Sequence, residues 1–367
     1  MYPPSTMVKP WEPNLRLPRQ GTGHSFAINA NKQMRIAVLS PISWRTPPRH
    51  YGPWELFASL LTEGLVSLGH DVTLFATADS RTNARLISTS STGWSEDPTI
   101  EPKVAECLHI ASAFECAGDF DVIHNGFDFL PLTYSELVET PMVTTIHGFS
   151  SEAIVPVYQR YNDSNSYVAI SDANRHPRLR YAATIHHGIN ADDFAFREVA
   201  EEYLLFFGRI HPDKGTETAI EVARRAGRRL VIAGIIQDPV YFTERIEPHI
   251  DGDHVRFVGA VGGTERADLL GDAAALLHLI DFDEPFGFSV VEAMTSGTPV
   301  VAFDRGSMHE LIDDATGVLA HDVDSAVDAV RTAVALDRRG VRESAVRRFD
   351  STAMVSKYEA LYRTLVT

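Results

Sequence analysis

The 367-residue chain is 44% hydrophobic, which is enough for two domains with ordinary cores. Its formal net charge of -16 repels nucleic acid and anionic lipid, excluding both as broad partners, but leaves room for a local basic pocket that takes phosphate. No apolar run is long enough to span a bilayer, and Cys107 and Cys116 would face opposite sides of a helix, so the expectation is a reduced, cytoplasmic protein without integral membrane association.

Residues 1–33 are rich in proline and polar residues and carry no apolar signal-peptide core, so they read as an irregular tail. Met34–Ser40 reads as a buried strand. Trp54–Leu68 follows with Leu60, Leu61, Leu65 and Leu68 at helical spacing. Strands are expected at Asp71–Ala76, Asp121–His124, Met142–Ile146, Tyr167–Ile170 and Thr184–His186, with a helix over Val104–Ala117. The stretch Asn190–Glu202 is polar and aperiodic. A second series then runs through strands at Tyr203–Phe207, Arg229–Ala233, Val255–Val258, Ala273–Ile280 and Val300–Ala302, with helices at Thr216–Ala226 and Gly287–Ser296. Helical patterns continue after Asp322. Apolar strands alternating with amphipathic helices predict an α/β chain with two parallel sheets, over 34–190 and 191–349, facing each other across a cleft. Such sheets bind ligands beyond the carboxyl ends of their strands.

Several loops at those ends carry chemistry. Glu284 and Glu292 bracket a helix start at Phe286-Gly287-Phe288-Ser289. Free N–H groups and the helix dipole there suit a diphosphate, and a carboxylate on each side suits pairs of hydroxyls. A helix starting near Phe286 puts Glu292 roughly 9 Å along it. The pattern fits a nucleotide-sugar. Arg209 lies just past a strand and Lys214 at the entrance to the next helix, where each can meet phosphate. The order Lys-Gly excludes a Walker A loop. The first loop, SPISWRTPPRHYGPWE, ends in Gly52 at a helix start and lacks GxGxxG, against an ordinary dinucleotide site. His147 follows a strand, where it can hydrogen-bond a substrate hydroxyl or assist proton transfer. His186-His187-Gly188 is similarly placed but reads as a hinge loop. Asp281-Phe282-Asp283 spells DxD, yet the cations Arg209 and Lys214 beside it argue against a metal role.

The Glu-x7-Glu segment, GRIHPDKG, TIHG and HHGIN, together with YGPWELFASLLTEGLVSLGHDVTLFAT, resemble the retaining glycosyltransferases of family 4. The similarity covers roughly 34–336. It implies a GT-B fold of two Rossmann-like domains and no required metal or other cofactor. It also implies a last helix, near Asp350–Leu365 and assigned to 350–367, that crosses back to the first domain. By this resemblance Glu292 would bind ribose hydroxyls and Glu284 the donor sugar's 3- and 4-hydroxyls. The amides of Gly287, Phe288 and Ser289 would meet sugar and diphosphate, and Arg209 and Lys214 would neutralise the leaving diphosphate. His147 would touch the sugar near its 6-hydroxyl, and the segment Val255–Val261, with Val258, would line the base largely through backbone groups. The family's second loop glycine is replaced by Pro53, which has no N–H, so either Gly52 supplies the phosphate contact or it is lost. His278-Leu279-Ile280 stands where many relatives have Pro-Ser. The expected activity is retaining transfer of a hexosyl group, from a UDP-sugar by the family's habit, to a small soluble acceptor. The alternatives are a non-catalytic nucleotide-sugar binder, or an epimerase or phosphorylase on the same fold.

Overall fold

The computed structural model describes residues 32–366, so the expected tail over 1–33 lies outside the described residues except for its last two. From Gln33 onward the chain is one compact unit. Two parallel sheets organise it. The first holds β1 (Arg35–Leu39), β2 (Asp71–Phe75), β3 (Arg85–Ile87), β4 (Val122–Asn125), β5 (Met142–Ile146), β6 (Ser166–Ala169) and β7 (Ala183–Thr184). Their spatial order is β3-β2-β1-β4-β5-β6-β7. The second holds β8 (Tyr203–Phe207), β9 (Arg229–Ala233), β10 (Val255–Gly259), β11 (Ala275–His278), β12 (Val300–Phe303) and β13 (Gly317–Ala320), in the order β10-β9-β8-β11-β12-β13. These are the two Rossmann-like domains that the alternating pattern predicts.

Burial explains the pattern. Strands covered by helices on both faces carry apolar residues continuously rather than alternately. Thus Ile36, Ala37, Val38 and Leu39 are all fully buried, as are Leu204 and Leu205. Each such Ile, Leu or Val side chain stabilises the fold by about 1.5–3 kcal/mol. The strands β3 and β13 were not expected. Both are short edge strands, and their residues are mostly only half-buried.

The order of strands reverses between β1 and β4 in the first sheet and between β8 and β11 in the second. Loops leaving neighbouring strands there diverge to opposite faces and open a crevice. The loops after β1, β4, β8 and β11 are therefore the ones placed to hold ligands.

The helix Ser351–Leu365 packs on the helix Pro53–Ser67 of the first domain. Gly64 makes the close approach possible, because a Cβ there would fall 2.5 Å from Val355. Tyr358 shares a 2.8 Å hydrogen bond with Thr145 Oγ1, and the Tyr362 hydroxyl lies 2.7 Å from His124 Nδ1, all four buried. The domains also meet at the cleft. Ser171 Oγ donates to the Pro285 carbonyl at 2.6 Å, and Glu310 accepts from the amides of Asp172 and Ala173.

Candidate active site

A cavity of about 500 Å³ opens between the two switch points. Its second-sheet side is built from the loops after β8, β9, β10 and β11. Arg209 leaves β8, and the turn Pro212–Lys214 follows. Gly215 ends that turn at φ 71°, and a Cβ there would sit 1.9 Å from the Leu279 carbonyl oxygen. Only glycine lets the Lys214 loop lie directly on the chain leaving β11.

On the β11 loop, Glu284 meets Lys214. Lys214 Nζ donates to Glu284 Oε2 at 2.8 Å, with side chains only 15% and 14% exposed. His278 Nε2 approaches the same oxygen at 3.6 Å, beyond hydrogen-bond reach, and has no partner of its own. Burial is the largest influence on the Glu284 carboxyl and pushes it up. His278 and the Lys214 charge together outweigh it and hold the group at about 2. Glu284 is therefore an ionised acceptor of hydrogen bonds, not a proton donor. Lys214 also lies 4.4 Å from the centre of the Phe282 ring. Asp281 of the DxD is drawn away toward Arg305, 3.3 Å distant.

The helix Phe288–Thr295 starts two residues later than expected, with Gly287 before it. Glu292 therefore stands only about 6 Å along it, not 9 Å. Glu292 is 3% exposed and pairs with Arg266 Nη1 at 3.2 Å. Burial raises its carboxyl, the Arg266 charge opposes this and Asp193 adds to it. Arg266 projects from the helix Gly263–Asp272, which the sequence reading missed.

The first-sheet side is aromatic. Trp54 stacks on His147 at 5.1 Å, His147 on His187 at 5.2 Å, and His187 on Phe288 at 4.7 Å. The column runs from the β1 loop to the donor-side helix. His147 Nδ1 shares a 3.3 Å hydrogen bond with His187 Nε2, while His147 Nε2 is buried without a partner. Burial depresses His147 to about 3 and His187 well below its ordinary value. Both rings are neutral, so His147 can exchange a hydrogen bond with a hydroxyl but carries no extra proton to give at neutral pH.

A family model, described as glycosyl transferases group 1, matches residues 190–347, the part that holds β8 to β13. A phosphatidyl-myo-inositol mannosyltransferase of Mycobacterium leprae is 27% identical over 285 residues, covering 68% of this chain and 75% of that protein. Over residues 190–347 the chain matches the group 1 glycosyltransferases, and its activity class is glycosyl transfer. Its GT-B fold agrees with the crystal structure of AviGT4, a glycosyltransferase involved in avilamycin A biosynthesis, at 25% identity and a TM-score of 0.70 over 91% of this chain and 98% of that one. Anabaena HepE, solved in complex with UDP and glucose, shares the fold at 18% identity and a TM-score of 0.70, over 90% and 100% of the two chains.

In this glycosyltransferase Gly52, His147, Arg209, Lys214, Glu284, Gly287, Phe288, Ser289 and Glu292 all line the one cleft. Val258 does not: it packs against the second domain's core, and Ala260 and Val261 line the cleft instead. The reason is strand alternation, since β10 turns Val258 inward before its loop reaches the edge. The hinge reading of His187 is also too narrow, because its ring is 2% exposed and lines the cavity. Arg266 carries no local signal, and the place of His187 after a strand does not show its partner. Arg266 is 26 residues from Glu292, and His187 is 40 from His147, so only the fold joins them.

Proposed function

We propose that this glycosyltransferase moves a hexosyl group, with retention of anomeric configuration, from a nucleoside-diphosphate sugar to a hydroxyl of a small acceptor. A UDP-sugar is the favoured donor, and no metal is required. The observation that carries this reading is the buried Lys214–Glu284 pair beside the start of the helix Phe288–Thr295, with Arg209 and Glu292 in the same cleft. The HepE complex with UDP and glucose supports the choice of nucleotide.

On this reading Glu284 accepts hydrogen bonds from sugar hydroxyls and Glu292, steadied by Arg266, from ribose hydroxyls. The amides of Gly287, Phe288 and Ser289 face the sugar and diphosphate. Arg209, whose guanidinium donates to Gln237, and Lys214 take up charge as the diphosphate departs. Glu284 is held by Lys214 and occupied with hydroxyls, so no carboxylate is free to attack the anomeric carbon. The bond from that carbon to the β-phosphate oxygen breaks and its electron pair leaves with the diphosphate. The acceptor oxygen bonds on the same face and its proton passes to the departing phosphate. Positioning and leaving-group stabilisation supply the rate.

Arg209→Ala and Lys214→Ala test this. Both should lower kcat by about 100-fold or more while donor Kd moves far less. Arg209→Ala is the cleaner arm, since Lys214→Ala also strands the Glu284 charge. Unchanged turnover in both variants would sink the assignment. Product NMR reads the anomeric configuration, and an inverted linkage rejects retention. Thermal shifts with UDP-, GDP- and ADP-sugars decide the nucleotide.

A further inference from the structure

We propose that Asp128 anchors the acceptor, in a subsite on the first-sheet side of the cleft suited to an uncharged, hydroxyl-rich molecule. This rests on the reading above, in which the donor occupies the second-sheet side.

Asp128 lies just after β4, and Gly52 ends the loop after β1, with Pro53 and Trp54 opening the helix that follows. These two loops flank the first sheet's switch point, as the Arg209 and Glu284 loops flank the second's. Both pairs line the same cavity. One half thus mirrors the other: a carboxylate beyond the switch point of each sheet. Tyr158, buried in the first domain, donates its hydroxyl to Asp128 Oδ1 at 2.9 Å. That bond sets the orientation of the carboxylate, which remains half-buried on the cleft wall. A carboxylate accepts several hydrogen bonds and can take a pair of neighbouring hydroxyls. Tyr51, Trp54 and Phe149 line the same cavity as flat apolar walls, and Phe149 packs edge-on against Tyr158, the partner of Asp128. Apolar walls with one well-placed polar group fit a ring that has an apolar face and a hydroxylated edge.

Charge decides the class. The arginine and lysine side chains lining the cavity, Arg209, Lys214 and Arg266, all come from the second domain. The first loop's own Arg49 is drawn off by Asp79, at 2.9 Å, and by Glu96, and Arg45 lies among these same charges. A phosphorylated acceptor seated here would face Asp128 with no cation supplied by its own side of the cleft. Like charges brought together in a partly dry site discriminate strongly. The acceptor is therefore a neutral glycoside or polyol.

The test uses p-nitrophenyl β-D-glucopyranoside and its 6-phosphate, mixed in equal amounts with UDP-loaded protein and read by saturation-transfer difference NMR. The neutral probe should give at least about tenfold more signal in the wild type. Asp128→Asn, which keeps the shape, should bring the two probes within about twofold. Equal signals in the wild type, a stronger signal from the phosphate, no signal from the neutral probe, or an unchanged ratio in Asp128→Asn overturns the proposal. The UDP-induced thermal shift is measured on both proteins. With that shift intact, a failed ratio condemns the acceptor subsite alone. Without it, the donor reading falls and takes this proposal with it.

Discussion

Replacing Glu55 by glutamine should make the protein more stable at alkaline pH and leave it nearly unchanged in mild acid. Glu55 lies in the first turn of the helix Pro53–Ser67, 3% exposed, and its Oε1 accepts the Trp44 amide at 3.1 Å. Burial is the main influence on it. The amides of Glu55 and Trp44 offset that only in part, and the carboxyl is raised from 4.5 to about 7. Between those values the folded chain holds a proton that the unfolded chain has released, so stability falls as pH rises through the window. At ~1.36 kcal/mol per pKa unit, the full penalty above the folded value is about 3.4 kcal/mol. About 2.5 kcal/mol of it develops between pH 5 and pH 8. Glutamine mimics the protonated acid and keeps an oxygen for Trp44. The Tm difference between variant and wild type should therefore grow by about 3–4 °C from pH 5 to pH 8. Differential scanning calorimetry at the two pH values reads it. An equal difference at both would refute the reasoning, since it would show that Glu55 does not titrate in this window.

Other substitutions test neighbouring parts of the argument. Arg266→Ala removes the cation opposite buried Glu292, and UDP affinity measured by calorimetry should fall about tenfold, or ~1.4 kcal/mol; an unchanged Kd denies the pair a role in holding ribose. Gly215→Ala drives a Cβ into the Leu279 carbonyl at a left-handed φ. It should cost roughly 3 kcal/mol or more, seen as a lowered Tm or loss of soluble protein. Tyr362→Phe leaves His124 Nδ1 without its 2.7 Å partner beneath the last helix and should cost about 1–3 kcal/mol in urea unfolding, with donor affinity untouched.

Much of the fold is legible in the chain because its determinants are local. The apolar runs Tyr203–Phe207 and Arg229–Ala233 match β8 and β9 residue for residue, since central parallel strands must be apolar on both faces. The edge strands β3 and β13 escape notice for the same reason, because they pack less and look like loop. At the site, strand-end loops are the legible part: Arg209, Lys214, Glu284 and His147 stand out by position. What stays hidden is long-range. The pairing of Arg266 with Glu292, the approach of His278 to Glu284 and the orientation of Asp128 by Tyr158 join residues from separate elements. No spacing rule links them. The side chain of Val258 packs on the core, so a contact with the base there would be through the backbone, as the resemblance implies.

The ring column from Trp54 to Phe288 gives the molecule an internal gauge. It ties the β1 loop to the helix that starts at the donor side, so the two domains cannot swing apart without parting at least one pair of rings. Its two imidazoles are uncharged at neutral pH, because burial depresses His147 to about 3 and His187 well below its ordinary value. Parting these rings therefore exposes no charged imidazole, and the column itself holds by shape rather than by acidity at neutral pH. Trp54 sits at the end of the column, where its indole emission reports stacking directly, and in a chain with Trp11, Trp44 and Trp94 replaced that emission can follow the enzyme through a turnover.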